Sequence, residues 1–300
     1  MSAPIKNVTI VGAAGNLGTT VFQKLVDSTN FNLQVLRRPD STTKYPTGTR
    51  VVDVDFSSVD ALTAALKGQD AVIALFGATS LGLQPALIDA SIRAGVQRFI
   101  PSEFGGDVSL PKNRALLPFL EKGKVEDYLI EKSKTSSLSY TFVFNGPFLD
   151  WGLENNFIFD TSAYQPTIYE GGDRVFSTTT LDTVANGIVG VLSHPFETKN
   201  RAVYLEDVKV SQNELLSIAK RVASNKSWQP RHTTLDEATA AADERLKQGT
   251  VDVHTVAPYL YRSIFDPAHG GNFQKNDNAI LGVTAKDKKV IEEVFAKIIS

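Results

Sequence analysis

The sequence predicts an α/β fold: a Rossmann-type, doubly wound parallel sheet with a smaller, interleaved α+β substrate domain. Strand and helix patterns alternate with short loops through the first half. A glycine turn at residue 12 separates the first strand from the first helix. After about Gly146 that alternation gives way to dense aromatics and less regular spacing.

Each element follows from its local pattern. Val8-Thr9-Ile10-Val11 is a short buried strand, and the helix after the glycine turn carries Val21, Phe22, Leu25 and Val26. Leu33–Leu36 and Val51–Val54 are the next strands. A helix around Val59–Leu66 leads to the apolar strand Ala71–Phe76. The helix Leu83–Ala94 stops at Gly95, and Arg98-Phe99-Ile100 is the fifth strand. A helix near Leu117–Lys132 and a strand over Tyr140–Phe144 close the alternating half. Beyond it, helical patches at Glu214–Val222 and Leu235–Leu246 stand between irregular stretches. The apolar helix Val184–Leu192 has the character of sheet-packing material. The expected organisation is therefore a cofactor domain over 1–150, with 175–195 returning to it, and a substrate domain formed mainly by 151–300.

Bulk properties exclude several function classes. The 42% hydrophobic fraction is enough for a full core. A net charge of −2 without a basic block argues against nucleic-acid contact. With no cysteine, thiolate metal sites and a cysteine nucleophile are ruled out, and the four scattered histidines lack ligand spacing, so no metal is expected. No signal-peptide pattern or long apolar window appears, so a cytoplasmic protein away from the membrane, monomeric or homodimeric, is expected.

The glycine turn reads Gly12-Ala13-Ala14-Gly15-Asn16-Leu17-Gly18. Such a turn brings main chain close to a pyrophosphate, and the helix N-terminus behind it offers unpaired N–H groups and a positive dipole end. The last glycine lets helix and strand pack closely. The G-x-x-G-x-x-G spacing is that of the short-chain dehydrogenase branch of this fold. NAD-binders place an acid at the end of the second strand, roughly 20 residues on. Here the strand ends in Arg37-Arg38, a pair suited to a 2′-phosphate, so the expected cofactor is NADPH. Strand ends supply further contacts: Asp55-Phe56 near the adenine, Phe76-Gly77-Ala78 along the cofactor, and Asn145-Gly146-Pro147-Phe148 over the nicotinamide. Phe148, Trp151 and Tyr169 are candidates to frame an apolar pocket for a ring substrate.

Gly95-Val96-Gln97-Arg98-Phe99-Ile100-Pro101-Ser102-Glu103-Phe104-Gly105 is more specific than the glycine turn. With Gln84-Pro85-Ala86-Leu87-Ile88-Asp89-Ala90 before it and Leu138–Phe148 after it, it resembles the isoflavone reductase-like and NmrA-like proteins, atypical short-chain dehydrogenases. The resemblance covers roughly residues 5–150 well. It implies NADPH, reduction of an aromatic or enone-like small molecule, and cofactor contacts at Gln84, Ser102 and Phe104. It also implies that Lys122, on the helix after the Pro-Ser-Glu-Phe-Gly segment, is the catalytic general acid/base. Lys122, Val125 and Leu129 share a helical face, which suits an inward-facing amine on an anchored helix. Two departures, Gly105-Gly106-Asp107 and the acidic Glu126-Asp127, turn the expectation from plant phenylpropanoids toward a microbial secondary metabolite.

Two other functions stay open at this level. One is a non-enzymatic NADP(H) sensor of the NmrA type that regulates a transcription factor. The other is a nucleotide-sugar or other extended short-chain enzyme using Ser102, Tyr128 and Lys132, since Tyr128 and Lys132 have Tyr-x-x-x-Lys spacing.

Overall fold

The computed structural model describes residues 4–299. The chain runs β1 (Asn7–Val11), α1 (Asn16–Ser28), β2 (Asn32–Arg37), β3 (Arg50–Asp53), α2 (Val59–Ala65), β4 (Ala71–Ala74), α3 (Gln84–Ala94) and β5 (Arg98–Ile100). It continues through a one-turn α4 (Pro111–Arg114), α5 (Leu120–Lys134), β6 (Ser139–Phe144) and α6 (Leu149–Glu154). The remainder is β7 (Thr167–Tyr169), β8 (Phe176–Thr178), α7 (Leu181–Ser193), β9 (Arg201–Tyr204), β10 (Val208–Val210), α8 (Gln212–Val222), β11 (Arg231–Thr233), α9 (Leu235–Lys247), α10 (Val253–Phe265) and α11 (Lys289–Ile299).

Seven strands form one sheet in the order β3-β2-β1-β4-β5-β6-β9, parallel at every pairing. Both faces of such a sheet are covered, which is why β1 and β4 are apolar almost throughout. On one face Ile10, Val21 and Leu25 pack with Val184, Ile188 and Val191 of α7. On the other, Leu36, Leu62, Val72, Leu87, Val125 and Leu129 form the core. Strand order reverses between β1 and β4, and that reversal opens a crevice beyond their carboxyl ends.

A third apolar cluster, with Leu153, Phe159, Ile168, Phe176, Leu215 and Phe295, gathers the segments outside the main sheet. Two short ladders, antiparallel β8–β10 and parallel β7–β11, accompany it. The Asp207 carboxylate ties this part to the start of α7, accepting from the Thr180 N–H and hydroxyl, the Thr183 hydroxyl and the Lys286 N–H.

Among the elements that the sequence patterns do not single out, three are instructive. β9 is only four residues long and alternates weakly, so its pattern is too short to stand out. α10 carries Pro258 inside, which reads as a helix break, yet the helix continues to Phe265. α11 carries Ile291, Val294, Phe295 and Ile299 at helical spacing, and this apolar face packs against α6 and α8.

The glycine turn is fixed by contact distances. Gly12 has φ +80°, and a Cβ there would lie 2.2 Å from the Leu75 carbonyl oxygen. A Cβ on Gly18 would lie 2.0 Å from the Gly12 carbonyl oxygen, whereas one on Gly15 would meet nothing closer than 3.5 Å. Gly18→Ala is therefore expected to lose about 1–3 kcal/mol through overpacking, with Gly15→Ala nearly neutral. Thermal unfolding of the two variants beside the parent checks this, and equal midpoints would refute it.

Candidate functional site

Two adjoining cavities open at the carboxyl end of the sheet. The first is a cleft of about 550 Å³ between the glycine turn, the end of β2 and the end of β4. Gly12, Ala14, Arg37, Arg38, Phe56, Phe76 and Gly77 line it, as the sequence reading expects. The second, of about 690 Å³, is lined by Ala78, Phe104, Lys122, Gly146, Pro147 and Phe148 among others. Thr79 borders both.

The cleft has the features of an anion cradle. α1 begins at Asn16 behind Gly15, with no side-chain cap and no acid in its first turn, so its N–H groups are open. Gly15, Asn16, Leu17 and Gly18 do not border the cleft: Gly15 donates to the Gly12 carbonyl at 3.1 Å, while Leu17 and Gly18 are buried under the turn. The two arginines are not equivalent. Arg37 is held by Asp53, 2.6 Å away in the next strand, and by the Thr43 carbonyl. Arg38 is 70% exposed, and its Nε lies 3.5 Å from Asp40. Arg37 and Asp53 are in register across the β2–β3 ladder, so Asp53 neutralises Arg37. Arg38 is the guanidinium free to meet an anion.

Several expected contacts serve the framework. The Asp55 carboxylate accepts from the Ser57 N–H and hydroxyl and is not a wall of the cleft. Ser102 lies under β4: its hydroxyl donates to the Ala74 carbonyl and accepts from the Phe76 N–H, while Gln84 Oε1 accepts from the Ser102 N–H. Asn145 is fully buried and caps the Gly146 carbonyl. These residues hold the rims in place and form no wall of either cavity.

Beyond Ser102 the chain bends sharply. Phe104 adopts φ +41°, and its N–H donates to the Val143 carbonyl, which extends the β5–β6 junction. A left-handed aromatic residue is a strained conformation held by its surroundings. The bend leaves the Glu103 carbonyl to accept a hydrogen bond from Lys122 Nζ. The Lys122 Nζ also sits 5.7 Å from the Phe119 ring centre. Lys122 is half-buried, and its side chain borders the open cavity. Burial lowers the Lys122 pKa, and the carboxylates of Glu103 and Glu126 oppose that shift.

Tyr128 and Lys132 face elsewhere. Both bind Asp89, through the Tyr128 hydroxyl at 2.8 Å and Lys132 Nζ at 3.1 Å. Burial and Asp89 raise the Tyr128 pKa, whereas a proton-transferring phenol needs it lowered. With neither residue in a cavity wall, this geometry favours Lys122 over the Tyr-x-x-x-Lys reading.

The second cavity is predominantly apolar. Trp151 and Phe148 border it, but Tyr169 packs instead against Phe265 and Tyr261 in the third core. The sequence reading misses the wall supplied by α10, where Val256, Leu260, Ser263 and Ile264 recur at helical spacing, and by His269 and Phe273 after it. That periodicity was the available signal, and Pro258 obscures it. Among the described residues no cluster of His, Cys, Asp and Glu fits a metal ion, and no helix is long and apolar enough to cross a membrane.

Comparisons with known proteins agree with this architecture. The chain is 32% identical to oxidoreductase aprR of Aspergillus flavus over 97% of its own length and 98% of that protein's. Its fold matches that of AtPrR2 solved with NADP+ and (+)pinoresinol, at TM-score 0.79 and 20% identity with both chains fully covered. It also matches leucoanthocyanidin reductase of Vitis vinifera in complex with NADPH, at TM-score 0.76 and 21% identity over 98% of this chain and 99% of that one. The NmrA-like family matches residues 4–230, and with it the chain takes its place as a member of the NmrA-like family.

Proposed function

We propose that this protein is an NADPH-dependent oxidoreductase that reduces an apolar, aromatic or enone-like small molecule, with Lys122 as the proton donor. One observation carries the reading: a half-buried lysine borders an apolar cavity that meets the glycine-turn cleft at Thr79. A dinucleotide held in the cleft would reach the apolar cavity past Thr79. The 32% identical relative is named an oxidoreductase, and the two matched structures hold NADP+ and NADPH, which points the same way.

The cofactor fits the residues present. The open N–H groups of α1 suit the pyrophosphate, and Arg38 suits the 2′-phosphate. When bound, NADPH supplies a hydride from its nicotinamide. Phe104, Gly146, Pro147 and Phe148 border the place where the ring meets the substrate, and the apolar wall excludes water there. Lys122, steered by the Glu103 carbonyl, gives a proton to the substrate atom that gains electron density. A sensor of dinucleotide state has no use for an amine so placed. The substrate side falls to Trp151 and to α10, in keeping with a cofactor domain over 1–150 joined by 175–195 and a substrate domain drawn mainly from 151–300.

Two measurements test this. Arg38→Ala should weaken NADPH binding about 10- to 100-fold, the worth of a charge-assisted contact, and leave NADH affinity unchanged. Equal effects on the two cofactors would refute the assignment. Lys122→Met should lower kcat about 100- to 10,000-fold while NADPH affinity, read by fluorescence titration, is retained. Turnover at the parental rate would exclude Lys122 as the donor.

A further inference from the structure

The substrate-side cavity has a polar corner that the reaction as described does not use. Ser263 of α10 forms part of its wall and is 3% exposed, yet its hydroxyl has no hydrogen-bond partner among the described residues. A serine inside a helix ordinarily turns out to solvent or bonds back to the carbonyl four residues earlier. Ser263 does neither: a Cβ built on Gly106, another wall residue, would lie 2.5 Å from its Oγ. The hydroxyl therefore stands between α10 and the glycine pair after Phe104. The Gly105-Gly106-Asp107 step, which the sequence sets apart from the plant-type pattern, leaves room for it.

Hydrogen bonds hold this corner in place. Asn113 is fully buried, and its Nδ2 donates to the Asp107 and His269 carbonyls at 2.9 Å each. This joins the segment after Gly106 to the segment after α10. His269, 7% exposed, borders the cavity here, with Nδ1 3.3 Å from the Asp266 carboxylate. Burial is the main cause that lowers its pKa, so its ring is uncharged at neutral pH. Lys122 stands by the neighbouring glycine: a Cβ on Gly105 would lie 3.8 Å from its Nζ. An amine and an unsatisfied hydroxyl thus stand beside successive glycines, and one small molecule can meet both.

We propose that Ser263 is a specificity-determining residue whose hydroxyl bonds a neutral oxygen of the substrate: a hydroxyl, carbonyl or ether carried on the ring. The substrate class is then an oxygenated aromatic or enone with a second polar point besides the atom that Lys122 serves. A buried hydroxyl without a partner costs stability, and a ligand oxygen that completes it recovers that cost as affinity. One bond sets the direction of a serine hydroxyl, so it can turn from Gly106 to meet the ligand. A ring bearing only carbon at that position would leave the hydroxyl unpaired and bind less well. Ser263 takes no part in hydride or proton transfer. The inference rests on this cavity being the substrate site.

The test uses the full chain saturated with NADP+, with β-naphthol and β-methylnaphthalene as probes of matched shape in equilibrium dialysis. The parent should hold β-naphthol more tightly than β-methylnaphthalene. Ser263→Ala should weaken β-naphthol about 2- to 10-fold and leave β-methylnaphthalene unchanged. The same difference should appear in a Lys122→Met background, which separates the Ser263 contact from any contact to the amine. Without a ligand, Ser263→Ala should melt at a higher temperature than the parent, because an unpaired buried hydroxyl has been removed. A lower melting temperature would mark a hydroxyl that only holds the fold together and would overturn the proposal. Equal loss of both probes, or loss of neither, would also overturn it and leave the reductase reading to the turnover of Lys122→Met. Failure of the parent to bind either probe would overturn both.

Discussion

The close approach of α1 to the end of β1 sets the geometry on which the site depends. Gly18 lets the helix come down onto the Gly12 carbonyl, and Gly12 in turn passes over the Leu75 carbonyl at the end of β4. These contacts fix the helix N-terminus, the turn and the fourth strand relative to one another. Any Cβ at either position would push them apart, and the crevice at the reversal of strand order would change shape. The cleft is therefore a consequence of packing at two glycines as well as of the open amides above them.

A second set of constraints transmits that geometry to Lys122. Gln84 and Ser102 bind each other and the end of β4, so the segment leaving β5 is anchored before it reaches Glu103. Phe104 then turns through a left-handed conformation, and the Glu103 carbonyl meets the amine of Lys122 on α5. The lysine is thus oriented by backbone whose position depends on the cofactor-side strands. Its burial disfavours the ammonium, and nearby acids favour it, so charge at this point is balanced by the local structure.

The two cavities divide the chemistry by polarity. An exposed guanidinium stands at the cleft, with the start of α1 behind its glycine turn, while the second cavity is bordered mainly by aromatic and aliphatic side chains. An apolar wall raises the strength of any electrostatic interaction inside it, and a single amine there counts for more than it would at the surface. α10 supplies much of that wall from a part of the chain far removed in sequence from the glycine turn.

The sequence by itself determined the parallel sheet, the glycine turn and the placement of Lys122 on a helix facing inward, because periodicity, glycine spacing and a contiguous motif are local properties. It also located Gly12, Ala14, Arg38 and Phe76 at the first cavity, since all stand at or just beyond strand ends, while Phe104 came from the motif's resemblance. Only the tertiary structure decided that Asp53 occupies Arg37, that Asp89 takes both Tyr128 and Lys132, and that Ser102 is a framework residue. It alone brought α10 and His269 to the substrate side and gathered Glu103, Glu126 and Arg114 behind the lysine. Each of those partners lies on a different element, and the pairing of charges across elements depends on distances and desolvation that linear spacing does not encode.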